Sequence, residues 1–179
     1  MEGQAKSWNR RGWLLLGDRQ LGAAEEAASH GLELSLDQRR EFWVCDSHHL
    51  LGEIHRVKGE RGKAIRHFEA AIGIASPFGW DDGLFWVHHS LAVLFCNENE
   101  LDNAQSHIER AKSHVVDDAY KLGRVMHEQA EIWYRQGRLE EAKAEILCAT
   151  ELFEKLGAMV ELQAFRSRLW KIERALEHR

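Results

Sequence analysis

Residues 51–76 read LGEIHRVKGERGKAIRHFEAAIGIAS, and five landmarks in this stretch follow one another at intervals of 7, 5, 4 and 3 residues. The landmarks are Gly52, Gly59, Ala64, Phe68 and Ala71. The same intervals recur at Ala92, Asn99, Ala104, Ile108 and Ala111, at Ala130, Gly137, Ala142, Ile146 and Ala149, and more loosely at Trp8, Gly12, Leu21, Ala24, Ala28 and Gly31. Self-similarity of this kind is the signature of a repeat architecture.

The landmarks predict two antiparallel helices joined by a tight turn. Small residues such as Gly52 and Ala64 allow two helices to approach closely, and Gly59 supplies the left-handed turn between them. A large apolar side chain, Phe68, fills the space that remains. Each copy therefore predicts one helix-turn-helix unit.

The copies divide residues 1–179 into a single predicted array. The units begin near Ala5, Cys45, Phe85 and Gly123, at spacings of 40, 40 and 38 residues. We expect repeats near 5–38, 45–78, 85–118 and 123–156. Asp37, Asp81 or Asp82, and Asp117 lie in the extra residues between units, where they could cap extended first helices.

A further amphipathic helix is predicted at about 159–178, after the fourth unit. Its apolar stripe is Leu162, Phe165, Leu169, Ile172 and Leu176, while Glu161, Arg166, Arg168, Lys171 and Arg174 lie outside the stripe. We expect this helix to cap the array, since the last unit of a repeat protein otherwise leaves an apolar face in water. Trp8, Trp133 and Trp170 are expected to be core-facing.

Composition favours an all-α protein that does not bind nucleic acid. The chain has one proline in 179 residues and is rich in good helix formers. Its net charge is -5, and its basic residues are scattered among acids, so no basic field would attract phosphates.

The sequence also predicts no membrane span and a cytoplasmic location. It has no run of about 18 apolar residues and no apolar segment typical of a signal peptide. Cys45, Cys96 and Cys148 are odd in number and far apart, which argues against a disulfide framework or a zinc knuckle. We expect no cofactor.

The landmarks resemble the signature of the tetratricopeptide repeat (TPR) family. Trp8 and Gly12 match its early Trp and Gly, and Ala64, Phe68 and Ala71 match its second-helix Ala, aromatic and Ala. This resemblance implies a right-handed superhelical solenoid of about four repeats with a concave groove.

Several segments are similar in sequence to the TPR arms of fungal NACHT-type NTPases of the STAND class. They include His67-Phe68-Glu69-Ala70-Ala71 and Leu84-Phe85-Trp86-Val87-His88. The residues Gly59 to Lys63 do not form a phosphate-binding GxxxxGK[ST] loop, so the chain would correspond to the repeat arm alone.

The TPR resemblance also implies which side chains contact a ligand. Positions 2, 5, 9 and 12 of each motif line the concave face in that family. From these positions we select twelve candidate groove residues: Asn9, Trp13, His49, Glu53, Arg56, Trp86, His89, Cys96, Arg124, His127, Glu131 and Tyr134. The cationic clamp by which many TPR domains hold chaperone tails has no equivalent here, so such a tail is not the expected ligand.

Three of these candidates, His49, His89 and His127, share the fifth motif position, and Glu53 and Glu131 follow two of them at i+4. Residues four apart share a helix face, so a His-Glu pair could bind a metal, act as a base or make a pH-sensitive contact. The alternative is a row of solvated groove residues. Neighbouring helices pack about 8 to 10 Å apart and zinc needs donors at about 2.0 to 2.2 Å, which favours a partner contact over a metal site.

The sequence therefore predicts a non-catalytic scaffold that binds a protein or peptide in its groove, with no catalytic or metal-ligating residues. One alternative is a ligand-sensing or autoinhibitory arm of a NACHT-type NTPase, and another is an enzyme or metal protein built on the His-Glu pairs. A homodimer is a further possibility, because the uncapped first unit would expose Trp13, Leu14 and Leu15.

Overall fold

The computed structural model describes residues 3–178, and within them the chain is helical with no strand. The helices are α1 (Gly3–Gly17), α2 (Leu21–Asp37), α3 (Glu41–Val57), α4 (Arg61–Ala75), α5 (Asp81–Asn97), α6 (Leu101–Ser113), α7 (Ala119–Arg135), α8 (Leu139–Leu156) and α9 (Met159–Glu177), with a 3₁₀ turn at Ser76–Phe78. The all-α prediction is confirmed.

The turns within helix pairs form where the landmarks predict them. Gly59 and Gly137 have φ values of +75° and +76°, in the left-handed region that glycine enters without steric cost. Asn99 and Arg19 occupy the same point in the other two pairs, with φ values of 62° and 58°. The same left-handed backbone geometry therefore follows α1, α3, α5 and α7, although only two of these four turns use glycine.

The chain divides into two compact units, one up to Ser90 and one from Leu91. In the first, hereafter unit 1, α1 packs on α2, α2 on α3, and α3 on α4. Gly52 allows the close approach of α3 and α4, since a Cβ at this position would lie 2.5 Å from the Phe68 ring. Ala64 and Ala71 are fully buried in the same interface.

In unit 2, from Leu91, α6 packs on α7, α7 on α8, and α8 on α9. Its core combines small and aromatic residues of α7 and α8 with the predicted stripe of α9. Leu162, Phe165 and Ile172 of that stripe are buried, and Leu169 and Leu176 pack against them. The helix α9 therefore covers apolar surface of unit 2, as its periodicity predicts.

One prediction about α9 is wrong. Trp170 is 57 % exposed rather than core-facing, and the Arg174 guanidinium lies 5.3 Å from its ring centroid. Arg168 lies outside the apolar stripe but is only 21 % exposed, because it reaches a carboxylate on α7. Long arginine side chains can bury their stems and still find a charged partner, which a hydrophobic pattern does not register.

The predicted caps also need correction. Asp118, not Asp117, caps α7 by accepting a hydrogen bond of 3.0 Å from the Lys121 backbone N–H. Asp117 has a φ of 47° in the preceding turn. Asp37 is the last residue of α2, so it does not cap α3.

Candidate interaction site

Asn9 is a structural residue rather than a surface contact. It is 1 % exposed, its Nδ2 donates to Asp46 Oδ2 at 2.8 Å, and its Oδ1 accepts from Ser47 Oγ at 2.9 Å. These bonds join α1 to α3. A buried amide whose donors and acceptors are satisfied contributes to packing specificity, so the predicted ligand role of Asn9 does not hold.

Three other candidates lie inside the packing. His89 and Glu131 are 5 % exposed and Cys96 is fully buried. They cannot contact a partner without local rearrangement, and the hypothesis of a solvated histidine row is wrong for His89. The motif positions identify the face of a helix, whereas the exposure of that face depends on the neighbouring helices.

The remaining unit 1 candidates, Trp13, His49, Glu53, Arg56 and Trp86, are half-buried. Trp13 Nε1 donates to Asp46 Oδ1 at 3.4 Å, and the Trp13 and His49 rings meet edge to face with centroids 5.1 Å apart. Ser90 Oγ on α5 lies 3.1 Å from His49 Nε2. We call this set, together with Asp46 and Ser90, the unit 1 face.

His49 and Glu53 do not form the isolated pair predicted from the sequence. Glu53 accepts hydrogen bonds of 3.0 and 2.7 Å from the Arg56 guanidinium. Burial raises the pKa of Glu53, but the hydrogen bonds and charge of Arg56, together with the nearby His49 and Ser90, lower it by more, so the net pKa is lowered. Burial lowers the pKa of His49. At neutral pH this face therefore carries an ionised, paired glutamate and a neutral histidine.

A small open pocket of about 70 Å³ lies beside His49 on the unit 1 face. It is lined by Phe42, Cys45, Asp46, His49, Trp80, Asp82, Gly83, Trp86 and Val87. Of these only His49 and Trp86 were among the sequence candidates. The sequence offered one signal for the other lining residues, the aromatic and acidic segment Phe78-Gly79-Trp80-Asp81-Asp82. This segment precedes Phe85, the first motif position of the third predicted repeat, so the motif positions did not select it.

Cys45 lines this pocket without being a nucleophile. Its Sγ donates to the Ala71 carbonyl at 3.5 Å. Burial, followed by the negative charge of Asp46, raises the pKa of the Cys45 thiol to about 11. The reactive form of cysteine is the thiolate, so this thiol is inert near neutral pH.

In unit 2 the corresponding residues, His127 and Glu131, are in contact with other residues of the same chain. The His127 ring stacks on Phe165 of α9 with centroids 4.4 Å apart. Glu131 accepts a hydrogen bond of 2.6 Å from Arg135 Nε and is ion-paired with Arg168. Burial, followed by the charges of Arg168 and Arg124, lowers the pKa of His127 to about 3.

The other two unit 2 candidates are only partly accessible. Arg124 and Tyr134 are half-buried on α7, and Tyr134 packs against the core that α8 and α9 complete. The structure therefore brings the unit 2 candidates together as a largely closed cluster.

The predicted dimer surface on α1 is smaller than expected. Leu14 is 67 % exposed, but Trp13 and Leu15 pack against the core formed by α2 and α3. Neighbouring helices thus cover two of the three apolar residues on which the homodimer hypothesis depended.

Within residues 3–178 there is no group of three or more His, Cys, Asp and Glu side chains arranged to hold a metal ion. Among the same residues, no helix has both the length and the apolar character needed to cross a membrane. Comparison with protein-family models and with curated proteins finds no match for this chain.

Proposed function

We propose that this chain is a TPR-type repeat protein that acts as a non-catalytic scaffold and binds a peptide or protein segment along its unit 1 face. The recurring landmarks, the helix pairs and their left-handed turns support the TPR assignment. The observation that carries the function is the open pocket beside His49 and Trp86. Concave sites with aromatic walls and a few placed polar groups are typical of recognition sites.

The chemistry of the face favours recognition over catalysis. Glu53 is held by Arg56, the pKa of His49 is lowered by burial, and the Cys45 thiol has a pKa of about 11. A general base or nucleophile needs a pKa near the working pH and a partner that activates it. Half-buried rings such as Trp86 are instead the kind of rigid anchor that dominates binding energies.

The test compares partner capture by three proteins: the natural sequence, the double variant His49→Ala/Trp86→Ala, and the control Trp170→Ala. Trp170 is an exposed tryptophan on α9 and matches the loss of one indole away from the unit 1 face. Partners are cross-linked and identified by mass spectrometry, and the cross-linked segment is then synthesised and titrated by calorimetry.

We expect the double variant to bind the synthetic segment at least about tenfold more weakly, since one tryptophan hot spot can contribute about 2 kcal/mol. The control should bind like the natural sequence. Equal affinity of all three proteins, or equal loss in the variant and the control, would refute a recognition role for the unit 1 face.

A further inference from the structure

Three histidines meet where α3 packs on α4 in unit 1. His48 and His55 belong to α3, and His67 belongs to α4. The Nδ1 atoms of His48 and His67 are 3.0 Å apart, and the rings of His55 and His67 stack with centroids 5.3 Å apart. We call these three residues the histidine seam.

The local sequence brings the three rings into contact. His48, Gly52 and His55 are spaced four and three residues apart, so they share one face of α3. Gly52 lets α4 approach so closely that a Cβ at this position would lie 2.5 Å from the Phe68 ring. Because His67 directly precedes Phe68, the same close approach places its ring against both histidines of α3.

The contact between His48 and His67 depends on their protonation state. One Nδ1 must carry a proton and the other must accept it. When both rings are protonated, both nitrogens are donors, and repulsion between two cations replaces the hydrogen bond. The closed seam therefore resists a second proton, whereas separated helices would bind both.

The carboxylates near the seam already have cationic or hydrogen-bonding partners. Glu60 accepts hydrogen bonds from Lys63 Nζ at 3.0 Å and lies 2.6 Å from His55 Nδ1. Glu25 of α2 is ion-paired with Lys58. Protons added to His48 and His67 therefore bring new positive charge to a cluster in which the acids are already paired.

The pKa values of the two bonded rings agree with this geometry. Burial lowers the pKa of His48. Burial, followed by the charges of His48, His55 and Arg66, lowers the pKa of His67 to about 4, and Glu25 opposes this effect only in part. Both pKa values lie below the ordinary value of about 6.5, so separation of α3 from α4 takes up protons and becomes more favourable as pH falls below 6.5.

The seam is connected to the unit 1 face through the next residue of α3. The His49 ring lies 6.1 Å from the Phe68 ring of α4 and 5.1 Å from the Trp13 ring, measured between centroids. Burial has the largest effect on the pKa of His49 and lowers it. The charged groups that modify this effect are, in decreasing order, Glu53, Asp46, Arg56 and Asp82. Separation of the helices would remove Phe68 from behind His49 and allow His49 to take up a further proton.

We propose that the histidine seam is an acid-sensitive switch in which protonation separates α4 from α3 and disassembles the unit 1 face. The inference rests on the proposed scaffold function, because it states how binding at that face is regulated. At neutral pH the seam is closed and the face is intact. Acid opens the seam and releases the bound segment.

The test is hydrogen exchange of the full chain at several pH values between 6 and 5. Mass spectrometry of peptides from α3, α4 and α8 gives an opening constant for each helix after correction for the intrinsic pH dependence of amide exchange. The slope of the logarithm of this constant against pH is the number of protons taken up on opening. We expect about three protons for α3 and α4, from His48, His67 and His49, and a smaller number for α8.

Single substitutions identify the protons. His48→Gln, His67→Gln and His49→Gln should each lower the slope for α3 and α4 by about one and leave the slope for α8 unchanged. His30→Gln replaces an exposed histidine of α2 and is the control, which should change neither slope. Either of the two seam variants suffices if the other does not fold.

Three outcomes would overturn the proposal. A slope of one or less for α3 and α4 would show that the seam does not take up protons on opening. Equal slopes in α3, α4 and α8 that respond equally to the seam variants would indicate global unfolding instead of a local switch. If His48→Gln and His67→Gln lower the slope but His49→Gln does not, the seam opens without the unit 1 face and does not regulate it.

The exchange experiment needs no partner, so its failure is distinguishable from failure of the capture test. If capture depends on the unit 1 face but the seam takes up no protons, the switch is wrong and the scaffold function stands. If the slopes are as expected but capture is independent of that face, the proposed scaffold function is wrong and the seam regulates only the packing of α3 on α4.

Discussion

The pairs His49-Glu53 in α3 and His127-Glu131 in α7 have the same spacing, yet the structure uses them differently. In unit 1, Glu53 takes its guanidinium from Arg56 of its own helix, and His49 remains at the edge of an open pocket. In unit 2, Glu131 is held by Arg135 and by Arg168 of α9, and His127 is covered by Phe165.

The difference lies in what the neighbouring helix supplies. In unit 2, α9 contributes an apolar ring and a cation, which complete the contacts of both residues on α7. In unit 1, residues of α5 lie beside His49 of α3: Ser90 approaches its ring, and Trp86 and Asp82 line the recess. A repeated motif thus serves as internal packing in one unit and as a candidate recognition surface in the other.

The largest expected effect is a loss of stability on replacing Glu131, which should exceed the loss on replacing the less buried Glu53. Glu131→Gln leaves the half-buried Arg168 and Arg135 without their shared carboxylate, and breaking a buried ion pair costs about 3 to 5 kcal/mol. Glu53→Gln breaks a pair that is more accessible to water and should cost about 1 kcal/mol. Urea unfolding, with hydrogen exchange to report on α3 and α7 separately, measures both.

A double variant checks the reason for that difference. Glu131→Gln combined with Arg168→Met removes one of the two guanidiniums left without a carboxylate and should recover part of the loss, as a coupled pair requires. If the two glutamate variants cost the same, or if the double variant is no more stable than Glu131→Gln, the contrast between the open and closed sites is wrong.

The next effect is acid sensitivity, which we expect in both units. The pKa of His67 in unit 1 is lowered to about 4 by burial and then by the nearby His48 and His55, and that of His127 to about 3. Both lie below the unfolded value of about 6.5, so the unfolded chain binds more protons and stability falls as pH decreases from 6.5 toward 4.

Each of these histidines should cost about 1 to 2 kcal/mol by pH 4.5 after allowance for solvent screening. The substitutions His67→Gln and His127→Gln should each flatten the fall in the free energy of unfolding between pH 6.5 and 4.5. The check is urea unfolding at several pH values, with exchange in α4 and α8 to separate the units. Retention of the full slope by either variant would show that the corresponding histidine is not buried neutral.

The smallest effect concerns the N-terminal caps of α3 and α7. The helix α3 starts without a side-chain cap at Arg40, whereas Asp118 caps α7. Asp118→Ala should destabilise unit 2 by about 1 kcal/mol, measured by urea unfolding at neutral pH. The neighbouring Asp117→Asn, which removes an equal charge but no cap and keeps a side chain tolerated at a φ of 47°, is the control. A cost for Asp117→Asn at least as large as that for Asp118→Ala would mean that the cap is wrongly identified.

Much of the fold could be predicted because its signals are local. Helix boundaries follow from turn residues such as Gly59 and Gly137, and the packing of Gly52 against Phe68 follows from residues 16 positions apart in one helix pair. The apolar stripe of α9 was predictable for the same reason, because a 3.6-residue periodicity can be recognised in the sequence of a single helix.

The candidate site was predictable only in part. Sequence position identified Trp86 and His49 as lying toward one face, but it also selected Asn9 and Cys96, which are buried, and it missed Phe42, Trp80 and Asp82. Those three lie in or next to connections between helix pairs, where a motif defined on first-helix positions has no landmark.

The sequence by itself determined the helices, their turns and the small-residue contacts within each pair, because residues close along one helical hairpin set them. Only the tertiary structure decided which polar groups are satisfied and which face a pocket. Asn9 finds Asp46 across 37 residues and His49 finds Ser90 across 41, and Arg168 comes from the helix after the last pair to reach Glu131. The hydrogen-bond and ion-pair partners of a side chain depend on the packing between helices. The periodicity of one helix does not show which residues a neighbouring helix places beside it.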